Sequence, residues 1–231
     1  MAHELPPHFE ESRGHLRTGF APGRYDLVTI AASAGGIEAL SAILAALPAD
    51  FPVPIAVVQH RTTRPPNLQA EVLGRRTRLA VKVAEESELM RSGTVYLAPP
   101  GLHLTVRSDK TVGLTNGTRI RHHLSSANPL FTTAAQALGG RVLAVVLTGG
   151  DRDATDGVQS VRACGGTVLA QDEATSALFA MPRSAIETGC VDAVLPLADI
   201  APALVGLVMG HAIARNAHGS GSAAAVQGVP T

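Results

Sequence analysis

The chain has 231 residues, of which 45% are apolar and 16% are charged, a composition that suits one globular domain with a sizeable core. Nineteen Lys and Arg residues balance nineteen Asp and Glu residues and only 3% of residues are aromatic, which argues against nucleic-acid binding. No long apolar run predicts membrane insertion, and the N-terminus lacks the apolar segment of a signal peptide, so we expect a soluble cytoplasmic protein.

Both ends of the chain differ in composition from the middle. Residues 1–23 combine mixed charge with prolines and predict a flexible lead-in. Residues 216–231 are small and polar, rich in Gly, Ser and Ala, and predict a disordered tail. We therefore expect a single folded domain over residues 24–215.

The predicted elements of the first half begin with a short apolar segment. Residues 26–32 (DLVTIAA) predict a strand, and residues 37–47 carry apolar side chains at helical spacing and predict a helix that ends before Pro48. Residues 54–59 (PIAVVQ) predict a second buried strand. Three short segments separated by turn residues then predict an antiparallel insertion: residues 94–98, 102–106 and 111–115.

The second half of the chain alternates helices and strands. Predicted helices cover residues 129–138, 156–163, 182–188 and 197–214, and predicted strands cover residues 141–147, 167–170 and 193–195. Strands that lack polar alternation and are separated by helices indicate a parallel sheet covered on both faces. The predicted fold class is therefore α/β: a doubly wound, mainly parallel sheet in a Rossmann-like three-layer sandwich, with a small antiparallel β insertion.

Ser33 follows the first predicted strand, at the sheet edge where α/β proteins place their sites. Its surroundings, AASAG in residues 31–35, differ by one methyl group from the G-x-S-x-G nucleophile elbow. In such a turn the N–H groups after the serine can hold an oxyanion. A serine that only caps the helix is the alternative. A phosphate-binding loop is disfavoured because the full G-x-G-x-x-G and a following Gly-Lys-Ser/Thr are absent.

His60 and an acidic segment follow two further predicted strands. A near-neutral imidazole at His60 could accept the serine proton, although a solvated loop histidine is the alternative. The segment LTGGDRDATDG (residues 147–157) contains Asp151, Asp153 and Asp156. One carboxylate could orient the histidine, while others suit helix capping or the helix dipole. No matching second set of ligands accompanies them, so no metal is predicted. The order Ser, His, Asp differs from that of α/β-hydrolases.

Six motifs follow one another between about residues 26 and 207. They are IAASAGGIEAL (residues 30–40), VVQH (57–60), YLAPPGLH (96–103), SSANPLF (125–131), LTGGDRDA (147–154) and AQDEATS (170–176), the last followed by MP at 181–182. In this order they resemble the catalytic domain of the chemotaxis protein-glutamate methylesterases (CheB type). The resemblance implies a serine hydrolase that uses no cofactor.

The resemblance also implies roles for individual residues. It assigns the nucleophile to Ser33, the base to His60 and the acid to Asp153. It places the oxyanion donors at the main-chain N–H groups of Ala34 and Gly150. The implied reaction is hydrolysis of glutamyl methyl esters with release of methanol, or deamidation of glutamine by the same attack.

The resemblance further implies partners. The substrates are methylated cytoplasmic helices of chemoreceptor-like proteins. Arg61, Arg64 and Arg152 near the rim could meet the acidic surface of such a helix, or simply be solvated. Full-length members usually carry an N-terminal receiver domain. Too few residues precede the first predicted strand for one, so we expect constitutive activity or a separate regulator.

Several residues depart from the family pattern. Ala31 replaces a glycine and Ala34 a threonine. His103 is retained; it could be a rival base or line the substrate groove, but the family match places a histidine there outside the triad and favours a supporting or structural role. Asp151 replaces a glycine and adds a carboxylate that could raise a pKa or compete for His60. Ala154 replaces a glycine whose backbone conformation other residues disfavour.

These departures leave two alternatives to the methylesterase. The altered acidic loop suits a methylesterase-like module that binds a signalling partner without turnover. The greater divergence of the groove residues suits an esterase acting on a small-molecule ester.

Overall fold

A seven-stranded sheet runs through the middle of the fold, and its strands are parallel. The computed structural model describes residues 24–60, 67–116 and 125–210. The predicted lead-in and tail lie outside the described residues, as do residues 211–215 of the predicted domain. Among the helices in the described part of the chain, none is long and apolar enough to cross a bilayer.

The strands and helices alternate along most of the chain. The strands are β1 (Leu27–Ala32), β2 (Ile55–Gln59), β3 (Ala80–Val83), β4 (Thr94–Leu97), β5 (His103–Val106), β6 (Val112–Thr115), β7 (Val142–Val146), β8 (Thr167–Gln171) and β9 (Ala193–Leu195). The helices are α1 (Gly36–Ala46), α2 (Asn67–Gly74), α3 (Ala127–Leu138), α4 (Thr155–Ala163), α5 (Ala180–Glu187) and α6 (Leu197–Met209). The main sheet has the order β3-β4-β2-β1-β7-β8-β9, and β5 pairs with β6 in a separate antiparallel hairpin. The predicted fold class is confirmed.

The two faces of the sheet carry separate apolar cores. In β1, Val28, Ile30 and Ala32 pack into the core that α1, α2 and α6 cover. Leu27 and Ala31 pack into the opposite core, which contains residues of α3, α4, α5 and the hairpin. Successive side chains of a strand point to opposite faces, so a strand packed on both faces reads as an uninterrupted apolar run.

Strand β4 does not belong to the antiparallel insertion, contrary to the sequence prediction for residues 94–98. It pairs in parallel with β2 and β3. Val95, Tyr96 and Leu97 are buried in succession, which is the pattern of a strand covered on both faces. The other two predicted segments do form the hairpin β5–β6. The sequence also predicts neither α2 nor β3, which is a short edge strand with partly exposed residues.

Helix α6 ends at Met209, earlier than the predicted helix over residues 197–214. Gly210 follows with a φ of 73°, and its N–H donates to the carbonyl of Gly206. A left-handed glycine at this position is a common helix terminator, because it lacks the Cβ that disfavours the conformation.

The strand order brings three chain segments to one edge of the sheet. Strand β1 lies between β2 and β7, and the chain builds one side of the sheet before it returns to β7 on the other. In open parallel sheets this reversal produces a crevice at the carboxyl ends of the strands, where ligands bind. The residues that follow β1, β2 and β7 therefore meet at this edge.

Candidate active site

Ser33 lies in a tight turn between β1 and α1, and it is half-buried. Gly35 in this turn has a φ of +75°, and a Cβ there would lie 2.6 Å from the Cβ of Ala177. The carbonyl of Ser33 accepts hydrogen bonds from the Gly36 N–H at 2.9 Å and from Nε2 of Gln59 at 2.7 Å. The turn is thus fixed by a glycine that no larger residue can replace without strain and by a side chain from the neighbouring strand.

Thr148, at the end of β7, ties the Ser33 turn to the loop before α5. The N–H of Ser33 donates to the Thr148 carbonyl at 2.9 Å, and the Thr148 hydroxyl donates to the Ala34 carbonyl at 2.9 Å. The same hydroxyl accepts the N–H of Leu178, and the Thr148 N–H donates to Oε1 of Gln171. Neither Thr148 nor Gln171 is among the predicted site residues, although both lie inside the six motifs.

His60 follows β2 directly and contacts Asp153 through its ring. Its main-chain N–H donates to the carbonyl of Ala32, the residue before Ser33, at 2.9 Å. Its Nε2 lies 2.6 Å from Oδ2 of Asp153, and both side chains are almost fully buried. The structure therefore joins two of the three residues in the predicted triad.

The Asp153 carboxylate is held on both oxygens. Its Oδ1 accepts the hydroxyl of Ser126 at 2.7 Å, and its Oδ2 accepts the main-chain N–H of Ala127 at 2.6 Å as well as the His60 ring. Ser126 also caps the N-terminus of α3, because its side chain accepts the N–H of Asn128. Ser126 is not among the predicted site residues; a serine shortly before a predicted helix is the signal that could have identified the cap.

Asp151 contacts the other ring nitrogen of His60. The distance from its Oδ2 to Nδ1 of His60 is 3.0 Å. Its Oδ1 accepts the main-chain N–H of Asp153 at 2.8 Å. The expected competition for His60 is therefore present as a contact. Asp156, the third acid of the segment, is exposed in the first turn of α4, where it suits the helix dipole.

The two carboxylates change the charge state of the histidine. Burial lowers the pKa of His60, but the hydrogen bonds to Asp151 and Asp153 and their negative charges outweigh burial and raise it from 6.5 to about 9. Burial raises the pKa of Asp153, but the His60 contact and the hydrogen bonds from Ser126 and Ala127 lower it to about 2. At neutral pH the pair is an imidazolium and a carboxylate.

Ser33 and His60 occupy adjacent strand ends without a hydrogen bond between their side chains. Across residues 24–60, 67–116 and 125–210, the ring partners of His60 are Asp151 and Asp153, and the Ser33 hydroxyl is not one of them. All three predicted site residues thus reach the same edge, with the histidine turned to the acids.

The predicted oxyanion donors, Ala34 and Gly150, are exposed beside Ser33. Within the described chain, neither of their main-chain N–H groups donates to a protein acceptor, whereas the neighbouring Gly149 N–H donates to the Leu178 carbonyl at 2.8 Å. A Cβ at Gly149 would lie 2.9 Å from the Cβ of Ser33, so the end of β7 approaches the serine turn closely. Two unused donors next to a serine can bind a developing negative charge.

Other residues singled out in the sequence have structural explanations or lie outside the site. His103 is buried, and its Nδ1 accepts the N–H of Ser126, whose hydroxyl in turn donates to Asp153. Ala154 has a φ of 71°, which confirms the expected glycine-type conformation.

Arg152 is exposed, and its guanidinium lies 3.7 Å from the carboxylate of Glu187. The other two arginines considered for substrate contact, Arg61 and Arg64, lie outside the described residues. In the part of the chain that the structure describes, no cluster of three or more His, Cys, Asp or Glu side chains could hold a metal.

A serine in a glycine turn and a buried His–Asp pair at the neighbouring strand ends give this site the composition of a serine hydrolase on a doubly wound sheet. The family is shown by comparison: a family model described as "CheB methylesterase" matches residues 28–204. The chain belongs to the CheB methylesterase family. The resemblance predicted from the six motifs is confirmed.

Similar proteins agree with this assignment. The chain is 44% identical over 181 residues to protein-glutamate methylesterase/protein-glutamine glutaminase 2 of Anaeromyxobacter dehalogenans, covering 78% of the chain and 53% of that relative. It is 42% identical over 185 residues to the protein-glutamate methylesterase/protein-glutamine glutaminase of the group 3 operon of Rhizobium meliloti, covering 80% and 52%. The chain thus spans about half the length of these relatives. The crystal structure of the Thermotoga maritima CheB methylesterase catalytic domain aligns with a TM-score of 0.77 at 36% identity, covering 80% of this chain and 99% of that one.

Proposed function

We propose that this protein is a serine hydrolase that cleaves glutamyl methyl esters, with Ser33 as nucleophile, His60 as base and Asp153 as the acid that orients it. The observation that carries the proposal is the buried 2.6 Å contact between His60 and Asp153 next to the Ser33 turn. An imidazole oriented by a buried carboxylate can take a serine proton, because the carboxylate stabilises the imidazolium that forms. The prediction of a methylesterase-type hydrolase is confirmed at the level of the family.

The reaction proceeds by acyl transfer in two steps. In its neutral form His60 accepts the hydroxyl proton while Oγ of Ser33 bonds to the ester carbonyl carbon. The bond to the methoxy group breaks, and methanol leaves with the proton that His60 returns. Water then repeats the sequence: His60 takes one of its protons, the hydroxide oxygen bonds to the acyl carbon, and the bond to Ser33 breaks as His60 returns the proton to the Ser33 oxygen. The products are a glutamate side chain and the restored serine.

The N–H groups of Ala34 and Gly150 hold the oxyanion in each step. Both are unused donors in the described structure; Ala34 directly follows Ser33, and Gly150 follows Gly149, which approaches the Ser33 side chain. The loss of the family threonine at Ala34 leaves its main-chain N–H unchanged, so this donor does not depend on the side chain. Donors fixed before the reaction stabilise a developing charge without reorganisation, and removing one typically costs about 10²–10³-fold in kcat.

The same site deamidates glutamine in this proposal. Attack of Ser33 on a side-chain amide gives the same acyl-enzyme, and ammonia leaves in place of methanol. The names of the two relatives combine both activities. No cofactor enters either reaction, because the nucleophile, base and oxyanion donors all come from the chain.

We assign the substrate to methylated helices on the cytoplasmic side of chemoreceptor-like proteins, which places this protein in the cytoplasm. The Ser33 turn and Gly150 lie at the carboxyl edge of the sheet, where ligands bind in doubly wound folds, and Gly150 is exposed in the described structure. The exposed apolar side chain of Leu178 borders this edge, since its Cδ1 would lie 3.1 Å from a Cβ at Gly150. It offers a contact for the apolar part of a glutamyl methyl ester.

The test is methanol release from a methylated chemoreceptor fragment by the purified protein. Wild type should release methanol, and Ser33→Ala should release none above background. Ser108→Ala is the matched control, because Ser108 is exposed in the β5–β6 turn. That turn lies near the start of β1, where Lys110 pairs with Asp26.

Circular dichroism must show that the three proteins are equally folded. Equal methanol release by wild type and Ser33→Ala would exclude Ser33 as the nucleophile. No release by folded wild type at any pH between 6 and 10 would sink the methylesterase assignment for this substrate. A small chromogenic ester and a glutamine-containing receptor fragment would then distinguish esterase from glutaminase activity.

A further inference from the structure

His60 lies between two carboxylates, which leaves its ring in an arrangement that a base cannot use. Oδ2 of Asp151 lies 3.0 Å from Nδ1, and Oδ2 of Asp153 lies 2.6 Å from Nε2. An ionised carboxylate only accepts hydrogen bonds. Each contact therefore requires an N–H on the ring, and a ring with two N–H groups has no lone pair for the Ser33 proton.

The two carboxylates that contact the ring differ in burial and in their other hydrogen bonds. Asp153 is fully buried and accepts two further hydrogen bonds, from Ser126 and Ala127, so its position does not depend on His60. The Asp151 side chain is 24% exposed, and among the described residues its second oxygen accepts the main-chain N–H of Asp153. Of the two contacts, the one to Asp151 is the one that solvent can replace.

We propose that Asp151 is a positioning residue that holds His60 in a resting, doubly hydrogen-bonded state, so that the imidazole engages Ser33 only after this contact opens. The proposal rests on the proposed function for its consequence in catalysis. The resting state itself is a property of the folded protein. The resemblance places a glycine at this position in the family pattern, and a glycine has no side chain to contact His60. The resting contact is therefore specific to chains with an acid at this position.

Two titratable groups of the described chain face the His60 ring, and Asp151 is the one that stands in place of a family glycine. Among the described residues these are Asp151 and Asp153, both from the loop between β7 and α4. His103, from β5, is one hydrogen bond further away through Ser126. The pKa of His60, raised to about 9, agrees with a ring held as a cation.

The first experiment measures kcat and KM for methanol release between pH 6 and pH 10 in wild type, Asp151→Asn and Asp151→Gly. Asp151→Asn keeps the shape of the side chain and an oxygen for the Asp153 N–H, but removes the charge. In both variants the midpoint of the acidic limb should fall by at least about one pH unit, and kcat at pH 7 should rise about tenfold or more. The alkaline plateau and KM should stay close to the wild-type values.

The matched control is Asp156→Asn, because Asp156 is an exposed acid in the same region that does not contact His60 in the structure. Its pH profile should coincide with that of wild type. A profile of Asp151→Asn that keeps the wild-type midpoint, or activity that falls at every pH, would overturn the proposal. The second result would make Asp151 a supporting residue of catalysis.

A second readout needs no substrate and separates this proposal from the proposed function. Nuclear magnetic resonance of ¹⁵N-labelled histidine follows the His60 ring during a pH titration, with its signals assigned by their loss in His60→Gln. The His60 midpoint should fall in Asp151→Asn and stay in place in Asp156→Asn. If methanol release fails in all proteins but this shift occurs, the resting contact stands and the substrate is wrong. Equal His60 midpoints in wild type and Asp151→Asn overturn the proposal whatever the activity.

Discussion

At the residue scale, the contacts of Asp153 explain why an acid at this position can serve His60. The carboxylate has donors on both oxygens before the histidine is counted, so its orientation is fixed by Ser126 and Ala127. A buried acid held in this way keeps its charge, because the His60 contact and the hydrogen bonds from Ser126 and Ala127 lower its pKa. It can therefore orient and stabilise a histidine cation without taking its proton.

Replacing Asp153 by Asn should remove this charge while keeping the shape of the side chain. We expect kcat for methanol release to fall by about 10³–10⁴-fold, because an amide can hold the wrong tautomer of the histidine. Activity as a function of pH, with circular dichroism as a check on folding, measures the effect. A loss of less than tenfold across the pH range would mean that Asp151, not Asp153, orients the base.

Ser126→Ala should affect both the site and a helix end. The serine donates to Asp153 and caps α3 through the Asn128 N–H, so its loss should lower the free energy of unfolding by about 1 kcal/mol and reduce kcat by a smaller factor than Asp153→Asn. Urea unfolding and methanol release report the two effects. Ser126→Thr keeps the hydroxyl and should restore both. A variant whose stability falls with kcat unchanged would limit Ser126 to capping.

The sequence predicts the positions of the site residues better than their contacts. Ser33 and His60 could be chosen as candidates because strand-end positions are local properties of the chain, whereas Asp153 is chosen from three acids through the family resemblance. The contact between Asp151 and His60 could not be identified in this way, because it joins residues 91 positions apart and depends on the direction of a side chain in a loop. The role of Ser126 depends in the same way on a carboxylate from another segment.

At the element scale, burial on both sides decides which strands are easy to predict. Strands β1, β2 and β7 are nearly or fully buried and lie in the middle of the sheet, so their apolar runs mark them in the sequence. Strand β3, at the sheet edge, has partly exposed residues and no such run. Strand β4 is recognisable as a strand, but its partners are not encoded in the local pattern. Its parallel pairing depends on where β2 and β3 lie in the folded sheet.

The crossing of α3 and α4 depends on Gly157, and Gly157→Ala should test this contact. A Cβ at Gly157 would lie 2.6 Å from the Cβ of Phe131 and 3.3 Å from the Cα of Asn128, so the helices would have to separate. We expect a loss of about 1–3 kcal/mol in the free energy of unfolding. Gly74→Ala in α2 is the matched control, because its Cβ would make an ordinary contact of 3.7 Å with Val81. It should be neutral or slightly stabilising, since alanine favours helix. Equal losses in both variants would contradict the packing explanation.

At the scale of the whole molecule, the site depends on both halves of the sheet. Ser33 and His60 follow β1 and β2, on one side of the reversal in strand order, while Asp153 follows β7 on the other side. The buried His60–Asp153 contact therefore joins the two halves at the carboxyl edge. The charge of this pair should in consequence contribute to the stability of the entire fold, and not only to the local structure of a loop.

The stability of the protein should therefore depend on pH in a direction set by the two pKa values. The pKa of His60 is raised from 6.5 to about 9 on folding, so the folded state binds more protons than the unfolded state between these values. Its stabilising effect is fully present below about pH 6.5 and is lost as the pH rises through about 9. The pKa of Asp153 is lowered to about 2, so its contribution is present above about pH 4 and is lost as the pH falls toward 2.

Urea unfolding at pH values from 5 to 9.5 measures this dependence. In wild type the free energy of unfolding should fall above about pH 6.5, with a slope of at most about 1.4 kcal/mol per pH unit for one proton. Asp151→Asn should flatten the decline, because the folded-state pKa of His60 then lies closer to its unfolded value. His60→Gln should remove this group's contribution to the decline altogether. Parallel curves for the three proteins would show that the decline comes from other groups, and that the two carboxylates do not hold a proton on His60 in the folded state.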